Sequence, residues 1–325
     1  MDDNPFLPQQ ASNFAWQIDA ITITLTLISL ALTLPIVGLI VYFCIKYRRD
    51  SAAQRTGWRP GRMLEYGWIG GLLVLMVPVF IWTSLVYLNM WQPPPNTTEV
   101  YVIARQWMWK TQHLNGRREI NELHVPVNRP VRLIMTSQDV IHSFYVPEFR
   151  VKHDVLPGRY SVLWFEPTEV GEYNLFCTEY CGTWHSQMVG RVVVMEPDAY
   201  QDWLNEPLAM QPGIDSAAPE MSEATNTPPS MAEAGAQLFV GQGCNSCHQM
   251  GGDGIGPSLV GVYGSDVALQ RGVTVQADEE YLRRSIVDPN ADIVAGYQSV
   301  MPAYQGQLSE DEIMQLVAYI ASLEP

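Results

Sequence analysis

Charged side chains are scarce in this 325-residue chain, at 16%, and bases are the scarcer kind: 19 lysines and arginines against 34 aspartates and glutamates. A net charge of −15 excludes a nucleic-acid binder, which needs a basic face to displace the counterions of phosphate. Cysteine is rare too, with five residues, and histidine with six. Metal or cofactor chemistry must therefore sit where these few residues crowd together, and four of the cysteines do so: Cys177 with Cys181, and Cys244 with Cys247, each pair followed by a histidine. That pattern belongs to metals and cofactors rather than to a disulfide framework. The fifth, Cys44, lies in an apolar run and reads as a small packing residue. Hydrophobic residues make up 47%, and with charge well below the roughly 25% of soluble domains part of the chain is expected in lipid. Length suggests two or three domains, and 23 prolines and 24 glycines require many turns.

Two apolar runs, about 18–45 and 66–90, are each long enough for a helix to cross a hydrocarbon core of about 30 Å. Lys46 and five arginines from Arg48 to Arg62 lie between them, whereas the N-terminal tail carries Asp2 and Asp3. Positive loops stay inside, so the N-terminus and everything after Trp91 are placed outside, and residues 1–95 form a tail and a two-helix transmembrane hairpin. An acidic start and an overlong apolar stretch speak against a cleaved signal peptide. Glu65, where the second helix meets the membrane, reads by position as a solvated helix end.

Residues 96–200 read as an all-β sandwich or barrel. The strand-like runs are Val100–Ile103, Val131–Met135, Ser161–Phe165, Gly171–Phe176 and Arg191–Met195, with turn pairs Asn115-Gly116 and Pro157-Gly158. One loop of this domain carries Cys177, Cys181, His185 and Met188. Sulfur with imidazole selects copper. A mononuclear blue-copper site uses one thiolate, so two cysteines four residues apart suit two copper ions sharing both sulfurs. A further imidazole must come from upstream. His142, placed where a strand gives way to a loop, is the choice, and His113, His124 and His153 read as surface residues. Trp107 and Trp109 read as core or interfacial aromatics.

Residues 201–230 are rich in Pro, Ala, Ser, Glu and Met and read as a flexible tether. Beyond it, Cys244-Asn-Ser-Cys247-His248 is the attachment signature of c-type haem, with two thiols for the vinyl groups and a histidine for the iron. Among Met250, Met301 and Met314, Met301 is free to reach the far side of the iron: Met250 is too near the attachment site and Met314 sits in a helical pattern. Three arginines face about a dozen acids in residues 231–325, clustered at Asp278–Glu280 and Glu310–Glu312. Such a face is either solvated or steers a basic electron donor.

Asp139-Val-Ile-His142-Ser-Phe, Lys152-His-Asp-Val-Leu-Pro-Gly-Arg159 and the Cys177–Met188 loop resemble subunit II of the haem-copper cytochrome c oxidases, over roughly residues 15–200. Residues 231–325 resemble class I cytochrome c, an all-α fold, and the fused arrangement is similar to that of caa-type oxidases. The resemblance implies a Greek-key cupredoxin domain holding a dinuclear CuA centre on His142, Cys177, Cys181, His185, Met188 and the backbone carbonyl of Glu179. It further implies a magnesium site, shared with subunit I, that the Glu179 carboxylate faces, electron input at Trp107, and a proton-path mouth at Glu65. The partners implied are subunits I and III, a cytochrome c or bc-type donor complex and membrane lipid, in a bacterial inner membrane. A copper-bearing nitric-oxide reductase subunit, or a free-standing membrane-tethered electron carrier, would share much of this pattern.

Overall fold

The computed structural model describes residues 7–55, 57, 61–206, 229–251 and 254–323. Asp2, Asp3 and most of the segment read as a tether lie outside the described residues. Asn13–Pro93 form one compact unit and the remaining described residues a second.

The first unit is two helices, α1 (Ala15–Lys46) and α2 (Arg62–Met90). Each begins three or four residues before its expected start. Their 32 and 29 residues exceed the roughly 20 that cross a bilayer. Three threonine hydroxyls within them bond inside the helix, which satisfies them without water: Thr22 Oγ1 donates to the Ile18 carbonyl at 2.8 Å, Thr26 Oγ1 to that of Thr22 at 2.7 Å and Thr83 Oγ1 to that of Val79 at 2.6 Å. Cys44 is exposed on α1 rather than packed.

The second unit begins with a cupredoxin-like sandwich. Its strands are β1 (Thr98–Arg105), β2 (Met108–His113), β3 (Arg118–Ile120), β4 (Glu122–Pro126), β5 (Val131–Ser137), β6 (His142–Val146), β7 (Val151–Val155), β8 (Ser161–Phe165), β9 (Gly171–Cys177) and β10 (Val189–Met195). They form two five-stranded sheets, in the orders β3-β2-β1-β5-β8 and β4-β10-β9-β6-β7, with β1–β5 and β4–β10 parallel. Trp109, Leu123, Leu133, Phe144 and Leu175, all fully buried, belong to the core.

A third helix, α3 (Pro197–Asn205), runs into the segment read as a tether, so the first residues of that segment are ordered. The cause is a buried polar cluster with an aromatic cover. His113, only 2% exposed, bonds Glu119 through Nε2 at 3.0 Å and accepts from the Tyr200 hydroxyl at Nδ1, 3.1 Å away. His124 bonds the other carboxylate oxygen, stacks on Trp203 at 4.4 Å, and Arg117 covers that indole at 4.0 Å. The surface reading of His113 and His124 is therefore corrected: α3 covers them, an event remote in sequence. Burial works to raise the Glu119 pKa, but the hydrogen bonds from both histidines win and bring it down to about 2. A carboxyl depressed below its ordinary 4.5 contributes stability above that value and loses it as pH falls towards 2, about 3 kcal/mol in all. Glu119→Ala should therefore destabilise the domain by about 3 kcal/mol at pH 7, since it leaves two buried imidazoles short of a partner. The wild-type advantage should shrink below pH 4.5. Thermal unfolding of the solubilised protein at pH 7 and pH 3.5 measures both, and equal losses at the two values would contradict it.

The C-terminal part holds α4 (Met231–Gly241), a short ribbon of β11 (Asp266–Ala268) and β12 (Thr274–Gln276), α5 (Glu279–Val287) and α6 (Glu310–Ala321). Capping boxes Ser230/Glu233 and Ser309/Glu312 start α4 and α6. The two helices cross at Gly235, where a Cβ would meet the Gln315 carbonyl at 2.0 Å, so only glycine permits the approach.

This C-terminal domain lies on the outer face of the first sheet. Tyr101, Ile103, Ile134 and Tyr160 share one hydrophobic core with Leu282, Met314 and Val317. β1 is consequently buried on both faces. Three members of the two acid clusters read as a solvated or donor-steering face meet the sheet domain at this junction. Glu279 pairs with Arg132, Glu280 accepts from the Tyr160 amide at 2.7 Å, and Asp311 accepts from Gln138 at 3.3 Å.

Candidate metal and haem centres

The ligand-rich loop joins β9 to β10, and His142 opens β6, which pairs with both β7 and β9. Pairing of Phe144 with Cys177 sets the imidazole beside the first thiol: His142 Nδ1 lies 3.9 Å from Cys177 Sγ. Across the loop His185 Nδ1 lies 3.4 Å from Cys181 Sγ. The sulfurs are 3.7 Å apart, far beyond the roughly 2.05 Å of a disulfide. Metal ions at a thiolate bond length of about 2.3 Å could touch both. The Glu179 carbonyl stands 3.3 Å from Cys177 Sγ and Met188 Sδ 3.8 Å from Cys181 Sγ. Each sulfur thus has one imidazole and one weak donor, two half-sites around a shared pair. That donor set fits two copper ions.

His142, Cys177, Cys181 and Met188 are buried, and His185 is half-buried. Burial disfavours both thiolates, yet the thiols split. Hydrogen bonds from His142 and the Ser143 backbone outweigh burial and hold Cys177 below the ordinary thiol range, whereas burial and the charge of Cys177 push Cys181 above it. Ionising both sulfurs needs positive charge between them, which metal ions would supply.

A residue quoted in the sequence motif but given no role there, Asp139, steadies this site. Its Oδ1 is 2.8 Å from His142 Nε2, leaving Nδ1 to face the sulfur, and its Oδ2 accepts from the Gln106 amide at 2.7 Å. Gln106 Nε2 and Trp107 Nε1 both donate to the Cys181 carbonyl, at 2.7 and 3.3 Å. Trp107 is half-buried beside the loop, and Trp109 is fully buried against Phe144, 5.3 Å away. The spacing Asp139-x-x-His142 was the only sequence signal for the aspartate, since a carboxylate three residues before a ligand histidine can reach its second nitrogen. Glu179 is exposed at the loop tip with Tyr180 and Trp184, and Glu65 lies in the first turn of α2.

The C-terminal domain encloses a cavity of about 690 Å³ lined by Cys244, Cys247, His248 and Met301. His248 Nδ1 donates to the Pro257 carbonyl at 2.8 Å, which leaves Nε2 as the free nitrogen. Gly256 packs on the ring so closely that a Cβ would lie 2.8 Å from it. The thiol pair, the oriented imidazole and a thioether lining one apolar cavity fit a haem. Met314 is buried in α6 and Met250 is exposed outside the cavity.

The family model for the periplasmic domain of cytochrome c oxidase subunit II matches residues 99–196, and that for cytochrome c matches 232–324. A cytochrome c oxidase subunit 2 from Alkalihalophilus pseudofirmus is 30% identical over 315 residues, spanning 92% of this chain and 85% of that protein. The chain belongs to the cytochrome c oxidase subunit 2 family. An alternative cytochrome c oxidase subunit 2 from Bradyrhizobium diazoefficiens is 27% identical over 60% of this chain and 82% of that one. The crystal structure of the periplasmic domain of subunit II of cytochrome oxidase from Bradyrhizobium japonicum, 28% identical, covers 35% of this chain and 94% of that one at a TM-score of 0.34. As a member of that family, the chain is part of an oxidoreductase, a haem-copper oxidase with a subunit I partner. It is membrane-anchored with periplasmic domains, and its family implies copper in the sandwich and haem in the C-terminal domain.

Proposed function

We propose that this subunit is the electron-input arm of a terminal oxidase. An external donor, a cytochrome c or a bc-type complex, reduces the haem; the electron passes to the dinuclear copper centre and on to subunit I, where oxygen becomes water and protons are pumped. The observation that carries this reading is the paired half-site around Cys177 and Cys181 on the same chain as a haem cavity bearing its own attachment cysteines. Bound haem and copper supply the one-electron chemistry, and the chain supplies its geometry.

Cys244 and Cys247 would tether the haem covalently, His248 would offer it Nε2 because Pro257 occupies the other nitrogen, and Met301 would offer its thioether as a further ligand. In the sandwich His142, Cys177, Cys181, His185, Met188 and the Glu179 carbonyl hold copper, with Asp139 orienting His142. Trp107, hydrogen-bonded to the ligand loop, is the input point. The exposed Glu179 carboxylate is free to share magnesium with subunit I, Glu65 marks the mouth of a proton path, and subunit III completes the complex in a bacterial inner membrane. Residues 1–95 are the hairpin anchor, 96–200 the copper domain, 201–230 the connection and 231–325 the haem domain. Purified complex should contain two coppers for each haem on this chain, give the mixed-valence signal of two equivalent coppers, and consume oxygen in preference to nitric oxide. A single copper with a blue-copper spectrum, or a preference for nitric oxide, would overturn the assignment.

A further inference from the structure

We propose that the docked position of the haem domain is the position from which it delivers electrons, and that Arg132 and Arg283 are the positioning residues that hold it there. The inference rests on the haem-to-copper order given above but concerns how the two domains meet.

The junction is built rather than casual. Tyr101, Ile103, Ile134 and Tyr160 on the sheet's outer face are each at most 5% exposed and lie in one core with α5 and α6. Within this apolar surface Arg132, from β5, makes a fork onto Glu279: Nη1 donates to Oε1 at 2.6 Å and Nη2 to Oε2 at 2.9 Å. Nη1 also donates to Glu99 at 2.8 Å, and the Tyr263 hydroxyl donates to Glu279. From the other side Arg283, 4% exposed, donates to the Gly158 carbonyl and to Glu310, both at 2.5 Å. Two-pronged guanidinium contacts fix orientation as well as distance. Moving the domain away would break the fork and return the apolar surface of Tyr101, Ile103, Ile134 and Tyr160 to water, a costly loss.

This pose joins the two centres. Leu308 lines the haem cavity, and the next two residues, Ser309 and Glu310, line a cleft of about 720 Å³ shared with Gln106, Trp107 and Asp139. Trp107 in turn donates to the Cys181 carbonyl, and Asp139 holds His142. One turn of chain therefore separates the haem cavity from a cleft whose far wall is bonded to the copper loop. Electron transfer falls steeply with distance, so a domain fixed here avoids the search that a flexible tether leaves to effective concentration.

The test is the rate of haem oxidation after photoreduction in the purified full complex, with copper reduction followed in parallel. In the wild type the rate should stay constant from roughly 20 to 500 mM salt, because the contact is already made and its charged groups are largely buried. Arg132→Ala should slow it by on the order of tenfold to a hundredfold with haem and copper spectra unchanged, as expected for misplaced partners. Arg132→Lys, keeping charge without the fork, should recover part of the loss. Glu279→Gln removes the same charge pair with a side chain of equal size and should also slow transfer if the alanine variant does not fold. A wild-type rate that drops with salt, or rates within about twofold of wild type in both charge-removing variants, would overturn the proposal. Missing haem or copper signals in the wild-type complex would instead count against the proposed function.

Discussion

Cys181→Ser is expected to abolish the dinuclear copper spectrum while leaving the covalent haem intact. Cys181 Sγ sits at the middle of its half-site, with the other thiol at 3.7 Å, His185 Nδ1 at 3.4 Å and Met188 Sδ at 3.8 Å. A serine hydroxyl is a hard, weakly acidic donor that cannot replace a bridging thiolate for copper. The loss should therefore exceed the roughly 10–100-fold that removal of an outer-shell partner costs, and oxygen consumption fed through the haem should fall by at least that much. The fold should survive, since serine has nearly the shape of the buried cysteine and the haem cavity does not use this side chain. Copper content, the optical spectrum and oxygen uptake of the purified variant complex measure the three parts. Two coppers with an unchanged spectrum would remove Cys181 from the ligand set.

Met301→Ala should keep the haem attached, because Cys244 and Cys247 are untouched, yet change its ligation and lower its potential. A thioether stabilises reduced iron relative to a site left to water or a stronger donor, and axial-ligand choice spans about 0.8 V across haem proteins. A fall on the order of 0.1–0.2 V is expected here. Electrons from the external donor would then pass uphill to the haem, and steady-state turnover should drop while the copper spectrum stays the same. Redox titration of the haem in the complex gives the shift. An unaltered spectrum and potential would move the sixth ligand to another residue. Met314 is a poor alternative because it is fully buried in α6, and Met250 does not line the cavity.

The features readable from sequence were those whose cause lies within a few neighbouring residues. The four donors between Cys177 and Met188, the Cys244–His248 signature, the two apolar runs and the strand-like alternations all carry their physics locally. The turns at Asn115-Gly116 and Pro157-Gly158 join β2 to β3 and β7 to β8. His142 was singled out as the end of a strand opening a loop, whereas it follows a loop and begins β6; strand pairing brings its ring to within 3.9 Å of Cys177.

What tertiary structure alone decided depends on residues far apart in the chain. His113 and His124 look like surface histidines until α3 covers them, and Glu119 reaches His113 through the pairing of β2 with β3. Glu279 and Glu280 look solvated until Arg132 and Tyr160, over a hundred residues away, are set against them. One clue was present: Tyr101, Ile103 and Ile134 are apolar on the sheet face that a solvated sandwich would make polar. Composition could not say what covers that face, because burial is a property of the partner surface as much as of the strand. Sequence by itself determined which donors and which haem attachment this subunit carries, since those rest on residue type and short spacing. Only the fold decided how the haem domain sits against the copper domain, since that rests on contacts whose strength appears when both partners leave water together.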